Sequence, residues 1–372
     1  MLTSCALALN KVVFLQKNII MLISLQALRG IFAIFIFLNH AAGFDAGGDV
    51  GVAFFFILSG FVLCNGYESR ICERQISFRR FLTRRLTKIY PLHLLCFAAA
   101  VVLQLRIVDF SLVRIWMLNL LLLQSWVPNP DVYFSANAVS WFLSDILFCY
   151  AVFPFIVRYV RSRRIPQLLR FAVVLLAVYF AGVFLLPDRF SNPIVYVNPL
   201  SRVFDFIIGI ILWQLWHDYG KTQLSPRAES MSFASKSAVE ISSAALLAAT
   251  FFVYPHVPAN IATASLWWLP AIVIISVFTV MDKAGGAVTR LLQNKWLLRF
   301  GDISFAFYMM HYLVIRYAEI AFDKLGWPLS PWTFIPFCFI VTVCSSYLVY
   351  RYYEKPVENL LRHRTKGIKK TA

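Results

Sequence analysis

Apolar runs of 17 to 22 residues return from one end of the chain to the other, each followed by a polar break. They cover residues 21–42, 50–66, 89–106, 139–157, 168–186, 200–216, 238–255, 264–281, 302–322 and 333–350. Each comes close to the ~20 residues that a helix needs to cross the hydrocarbon core. In lipid the backbone must satisfy its polar groups internally, so such runs are predicted to be helices. The pattern predicts an all-α integral membrane protein with about ten transmembrane helices. An eleventh apolar stretch, 112–127, meets a parity conflict. The breaks 70–88 and 158–170 are both strongly basic, and short basic loops stay in the cytoplasm. Spans 89–106 and 139–157 already give an even number of crossings between them, so 112–127 is predicted to be re-entrant or interfacial. Ten crossings then leave both termini cytoplasmic.

The polar segments fit this order. Segments 43–49, 128–138 and 256–263 hold no Lys or Arg, as expected of external loops. Segment 217–237, polar and rich in Ser, reads as a flexible loop. Residues 1–20 read as an N-terminal extension with Met21 an alternative start, 21–360 as one membrane domain, and 361–372 as a basic cytoplasmic tail. No internal repeat is evident, which weighs against transporters built from two similar halves.

Composition agrees with the pattern. The 372 residues are 60% hydrophobic and 14% charged, against about 25% charged in a soluble domain. Mean hydropathy is +0.70. The net charge of +17 raises nucleic-acid binding, but 26 of the 35 Lys and Arg lie in the five segments 70–88, 158–170, 221–236, 283–299 and 351–372. Such alternation marks cytoplasmic loops facing an anionic leaflet, so the lipid bilayer is the expected partner and nucleic acid is not. The seven cysteines show no CxxC and no metal-ligand spacing, so neither a metal site nor a disulfide framework is expected.

Candidate chemistry begins in the first run, where Arg29 and His40 are eleven positions apart. Eleven steps of about 100° overshoot three turns by about 20°, so both side chains share a face, about 16 Å apart along the axis. Ionisable groups inside a span are costly, and their default reading is functional. Neutral imidazole accepts a hydroxyl proton near neutral pH, which makes His40 the candidate general base. Asp45 or Asp49, just beyond it, are candidates to orient the ring. The forked donors of Arg29 suit a phosphate or carboxylate, or an ion pair that locks helices. Between Arg79 and Lys88 stand five cations, of which Arg84, Arg85 and Lys88 suit a polyphosphate at a cytoplasmic entrance; lipid contact is the plainer reading. Ser59, Tyr90, Trp141, Arg202 and His311 are further polar groups in or beside apolar runs. Arg202 and Asp205, three apart, read equally as a self-neutralising pair. His311 reads as a structural or acceptor-side residue rather than a second base.

Taken together these segments resemble the acyltransferase-3 family of membrane enzymes that modify bacterial surface polysaccharides and related glycans. Leu25-Gln-Ala-Leu-Arg29-Gly30 through His40 resembles the family's Arg-x10-His signature, and Gly51-Val-Ala-Phe-Phe-Phe-Ile-Leu-Ser59-Gly60-Phe61 its Gly-Val-Asp-Leu-Phe-Phe-Val-Leu-Ser-Gly-Phe stretch. Arg84-Arg85-Leu-Thr-Lys88-Ile-Tyr90-Pro91 is similar to its Arg-Arg-x-x-Arg-Ile-x-Pro element. Trp141 to Pro154, Arg202 to Gly209, Ser304 to His311 and Tyr353-Glu354-Lys355-Pro356 follow in family order, so the likeness runs over about 21–360. Three departures stand out: Ala53 where the family often has Asp, Lys88 for an Arg, and Ile146 for a Glu with Asp145 one residue early.

The resemblance implies transfer of an acyl group, most often acetyl from acetyl-CoA, to a carbohydrate hydroxyl at the bacterial inner membrane. It implies an acyl-CoA donor substrate, a carbohydrate acceptor and no permanently bound cofactor. His40 would be the base, Arg29, Arg84, Arg85 and Lys88 the donor site, and Asp45, Asp49, Ser59, Tyr90, Trp141, Arg202 and His311 supporting residues. The alternative reading is a transporter or flippase of a lipid-linked or anionic solute. Oligomeric state is left open by the sequence.

Overall fold

The computed structural model describes residues 22–105 and 109–367, so the expected extension 1–20 and the last residues of the basic tail lie outside the described residues. The described residues contain helices and turns but no strand. The longer helices are α1 (Ile23–Ala42), α2 (Asp45–Cys72), α3 (Phe78–Gln104), α4 (Phe110–Leu120), α5 (Trp141–Arg161), α6 (Ile165–Leu185), α7 (Pro199–Leu215), α8 (Phe233–Val253), α9 (Trp268–Val280), α10 (Lys295–Leu325), α11 (Pro331–Val349) and α12 (Lys355–Gly367). Over the described residues, each of the ten long apolar runs falls largely on one of these helices.

Among the described residues eight helices are long and apolar enough to cross a membrane. They include α1, α2, α3, α5, α6, α7, α8 and α11, with α7 continuing to Ser230 and α11 to Leu361. The run 264–281 is a shorter apolar helix, Ser265–Val280. The run 302–322 lies in α10, whose 31 residues include Asp302, His311, Arg316 and Glu319. Segment 112–127 holds most of α4, whose 11 residues make about 16 Å of helix or half the hydrocarbon thickness, and the single turn Gln124–Trp126. A broken stretch of short helical turns follows it to α5.

Two sequence expectations are corrected. Segment 43–49 is not a seven-residue loop: Gly43, at φ +69°, closes α1 with its N–H on the Asn39 carbonyl, and α2 begins at Asp45. Glycine meets that left-handed position without a Cβ penalty, so the chain reverses over two residues. Segment 217–237 is not a flexible loop either, because helical turns carry α7 on through Leu224 and Ser225–Ser230 and break only at Met231 and Ser232. Its polar residues lie on a helix that extends beyond the apolar span.

Helix α2 is the centre of the bundle, flanked by α1 and α7, with α10 alongside α1. Small residues permit these close crossings. A Cβ on Gly60 would fall 2.1 Å from the Phe206 carbonyl oxygen, and one on Gly209 would fall 1.9 Å from the Ile57 oxygen. Across the α1–α10 crossing, a Cβ on Gly301 would lie 2.1 Å from the Gln26 oxygen. The amide of Gln26 also donates to Asp302 at 2.6 Å. Backbones that approach this closely gain dispersion contacts, which drive helix association where lipid removes the hydrophobic term. The outer helices α6 and α8 keep large apolar side chains exposed, among them Val173, Phe184, Leu185 and Phe252, as a lipid-facing surface requires.

The start of α1 is fixed from far away in sequence. Leu22 provides no side-chain cap. The Asp282 carboxylate accepts instead from the N–H groups of Ser24 at 2.7 Å and Ile23 at 3.3 Å. A carboxylate on orphan amides at a helix N-terminus satisfies donors and favours the helix dipole. The helix that bears Arg29 and His40 is thereby held at its start by the turn that follows α9.

Candidate active site

A cavity of about 330 Å³ lies among α1, α2, α3, α5 and α10. One end is basic, with Arg29 from α1 and Arg85 and Lys88 from α3. Arg85 and Lys88 are three apart and share a face of α3. The Arg85 guanidinium donates to the Tyr67 hydroxyl at 2.7 Å and lies 4.7 Å over that ring. Lys88 is 3.9 Å from Glu358 of α12. Among the described residues no carboxylate comes within ion-pair distance of Arg29, although Glu354 and Asp302 stand within electrostatic reach. The basic end thus offers Arg29 to an anionic guest without first breaking an ion pair.

The other end is aromatic, closed by Phe55, Phe142 and Tyr308, with Ser59 one turn below Phe55 on α2. Ser304, Tyr308 and His311 follow at i, i+4 and i+7 on α10, so one helix face leads from the cavity lining towards His40. The Tyr308 and His311 ring centres are 5.9 Å apart, and those of His311 and His40 are 5.2 Å apart. His311 is fully buried. Its Nδ1 lies 2.7 Å from the Tyr308 carbonyl oxygen and 3.3 Å from that of Phe307. A carbonyl only accepts, so Nδ1 carries the proton and Nε2 the lone pair. His40 occupies the last turn of α1, exposed, with its ring edge-on to Tyr312 at 5.3 Å.

Of the residues expected from the sequence, the structure brings Arg29, Arg85, Lys88 and Ser59 to one cavity, and His40 beside His311. Arg84 is outside the lining; one residue from Arg85, it is turned about 100° around α3 and stands within electrostatic reach of Arg70. Tyr90 packs edge-on to His93, and buried Trp141 packs against Tyr196 while its neighbour Phe142 reaches the cavity. Neither Asp45 nor Asp49 pairs with His40. Asp45 accepts from the Asn39 amide at 3.3 Å and Asp49 from the Tyr254 hydroxyl at 3.0 Å, because both lie in the first turns of α2 rather than in a loop.

Arg202 is engaged away from the cavity. Its guanidinium donates to Asp205 at 2.8 Å, to the Tyr196 carbonyl at 2.6 Å and to the Thr263 carbonyl at 3.2 Å, and Asp205 also accepts from the Trp268 indole. This buried network ties α7 to α9 and to two loops. The cavity residues that sequence reasoning passed over are Tyr67, Tyr150 and Tyr308. A tyrosine inside an aromatic-rich apolar run looks like core packing; the face shared by Ser304, Tyr308 and His311 was the available signal.

The family model for an acyltransferase domain matches residues 22–351. The chain is 30% identical to acyltransferase MdmB of Streptomyces mycarofaciens over 294 residues, 73% of this chain and 69% of that protein. It is 22% identical to O-acetyltransferase OatA of Staphylococcus aureus over 369 residues, 93% of this chain but 57% of OatA. No solved structure matches the chain.

Proposed function

The chain belongs to the acyltransferase-3 family, and we propose from its cavity that this multi-pass membrane acyltransferase carries an acyl group, acetyl above all, from acyl-CoA to a carbohydrate hydroxyl. The observation that carries this reading is a single cavity with cations at one end and, at the other, a ring contact leading to an exposed imidazole. A CoA thioester is elongated, anionic at its nucleotide end and uncharged at its acyl end. The volume lies at the low end of the ~300–1,000 Å³ typical of small-molecule sites, so it suits the pantetheine arm while the phosphates stay at the mouth on Arg85 and Lys88. Arg29 then meets the negative charge that enters deepest. In this reading the Tyr308 and Phe142 side chains swing aside to open the way to His40, the Tyr308 hydroxyl leaving the Val139 carbonyl to which it donates at 2.7 Å.

In this reading one nitrogen of His40 removes the proton from the sugar hydroxyl as its oxygen attacks the thioester carbonyl. The carbon–sulfur bond breaks, the thiolate takes the proton from the imidazolium, and the products are the O-acyl sugar and free CoA. Holding both reactants beside one base removes the entropy cost of bringing them together in solution. In the proposed topology α1 runs outwards in a bacterial inner membrane, with ten crossings and both termini inside. The donor enters from the cytoplasm and the acceptor from the outer face.

The test is glycan O-acylation followed by NMR in a deletion strain carrying the wild-type chain or His40→Ala, together with binding of labelled acetyl-CoA to the purified protein. Loss of a general base is expected to cut O-acylation by about 10²–10⁴ while donor binding persists. Full acylation with His40→Ala would overturn the assignment of the base, and no acetyl-CoA binding by the wild-type protein would overturn the donor.

A further inference from the structure

We infer that His311 is the positioning residue of His40: its buried Nε2 accepts the N–H of one His40 nitrogen and leaves the other nitrogen bare towards the acceptor hydroxyl. This rests on the reading of His40 as the base. Imidazole works as a base only in the correct tautomer, which is set by the hydrogen bond of the opposite nitrogen. In enzymes with a serine nucleophile a carboxylate does this. Here the resemblance pointed to a carboxylate at 53, where the chain has Ala, and the carboxylates nearest in sequence are engaged by Asn39 and Tyr254.

Three features converge on His311. It is fully buried, so its ring is fixed by Phe37, Phe307 and Tyr308 around it. Its tautomer is set, because Nδ1–H is spent on the Tyr308 carbonyl at 2.7 Å. Its Nε2 is left buried with no partner, and such an acceptor is costly unless something donates to it. The ring that can donate is His40: two imidazoles joined by an N–H···N bond of about 3 Å have ring centres about 5 Å apart, and the observed distance is 5.2 Å. His40 is exposed, so a side-chain rotation turns its N–H onto Nε2 with no change in α1. The other aromatic neighbour of His40 is Tyr312, which meets it edge-on. During transfer the imidazolium of His40 keeps this N–H on His311 while its newly gained proton passes to the thiolate, so His311 exchanges no proton.

The experiment uses the full chain in lipid nanodiscs, labelled with ¹⁵N-histidine and observed by solid-state NMR, alongside glycan O-acylation in cells. The expected result is an unprotonated His311 Nε2 correlated through a hydrogen bond with a protonated His40 nitrogen. His40→Ala removes that correlation and leaves the His311 Nδ1–H signal in place. In cells His311→Phe lowers O-acylation by at least about tenfold, and His311→Gln, whose amide oxygen can take the same N–H, restores most of it. Absence of the correlation in the wild-type protein, or full acylation by a stably produced His311→Phe chain while His40→Ala is inactive, would overturn the inference alone. Full acylation by His40→Ala would sink the general-base reading beneath it.

Discussion

Gly209→Ala is expected to separate α2 from α7 and destabilise the protein, although alanine is the better helix former. The added Cβ lies 1.9 Å from the Ile57 carbonyl oxygen, which is backbone and cannot rotate aside. Ordinary contact between these atoms is about 3.3 Å, so the helices must part by more than about 1 Å. Overpacking of this kind costs about 1–3 kcal/mol, occasionally more. Glycine to alanine in a helix returns about 1 kcal/mol. The clash is with immovable backbone, which puts the cost towards the upper end of that range, so the net loss is up to about 2 kcal/mol, one turn away from Asp205. Gly182→Ala on α6 has nothing within 4 Å of the new Cβ and supplies the contrast: the propensity gain acts alone, and stability rises. Heating each detergent-solubilised protein at one scan rate with a thiol-reactive fluorophore reads unfolding through the buried Cys64, Cys96, Cys149 and Cys338. A Gly209→Ala midpoint equal to or above that of Gly182→Ala would refute the argument that backbone contact dictates glycine at this crossing.

Two further outcomes follow from the buried groups. Arg202→Met leaves Asp205 charged and buried without its ion pair and is expected to cost about 3–5 kcal/mol. Adding Asp205→Leu should recover much of that loss in the same thermal assay, and a double variant no better than the single one would count against a paired role. Ser59→Trp fills the middle of the cavity and is expected to weaken acetyl-CoA binding at least tenfold at unchanged thermal stability, whereas Val62→Trp, at an exposed rim position, should do less. Equal donor affinity in the Ser59 variant would place the donor elsewhere.

The helices were legible because lipid imposes one rule on every crossing segment: each of the ten apolar runs coincides with a helix, and eight helices among the described residues are long and apolar enough to cross. The shared face of Arg29 and His40 followed from helical geometry within one segment. What joins separate helices was less legible. That Arg85 rather than Arg84 enters the cavity depends on how α3 is rotated against α2, which a run of five cations does not encode. The failed carboxylate assignment has a similar cause: Asp45 and Asp49 looked like loop residues, but the tight turn at Gly43 starts α2 early and commits both to other partners. Arg202 with Asp205 could be paired from their spacing, while the two carbonyls and the indole that complete the network come from other segments.

The remote cap on α1 has a consequence for synthesis. This helix is made early, yet its first amides receive their carboxylate from a residue 258 and 259 positions later. At about 5–20 residues per second the interval is roughly 10–50 s. Throughout it the nascent chain holds Arg29 and His40 without His311, without the α10 wall of the cavity and without a fixed end to α1. The candidate reactive residues are thus made first and locked last, so a chain halted before α10 lacks one wall of the cavity that the proposed donor would enter.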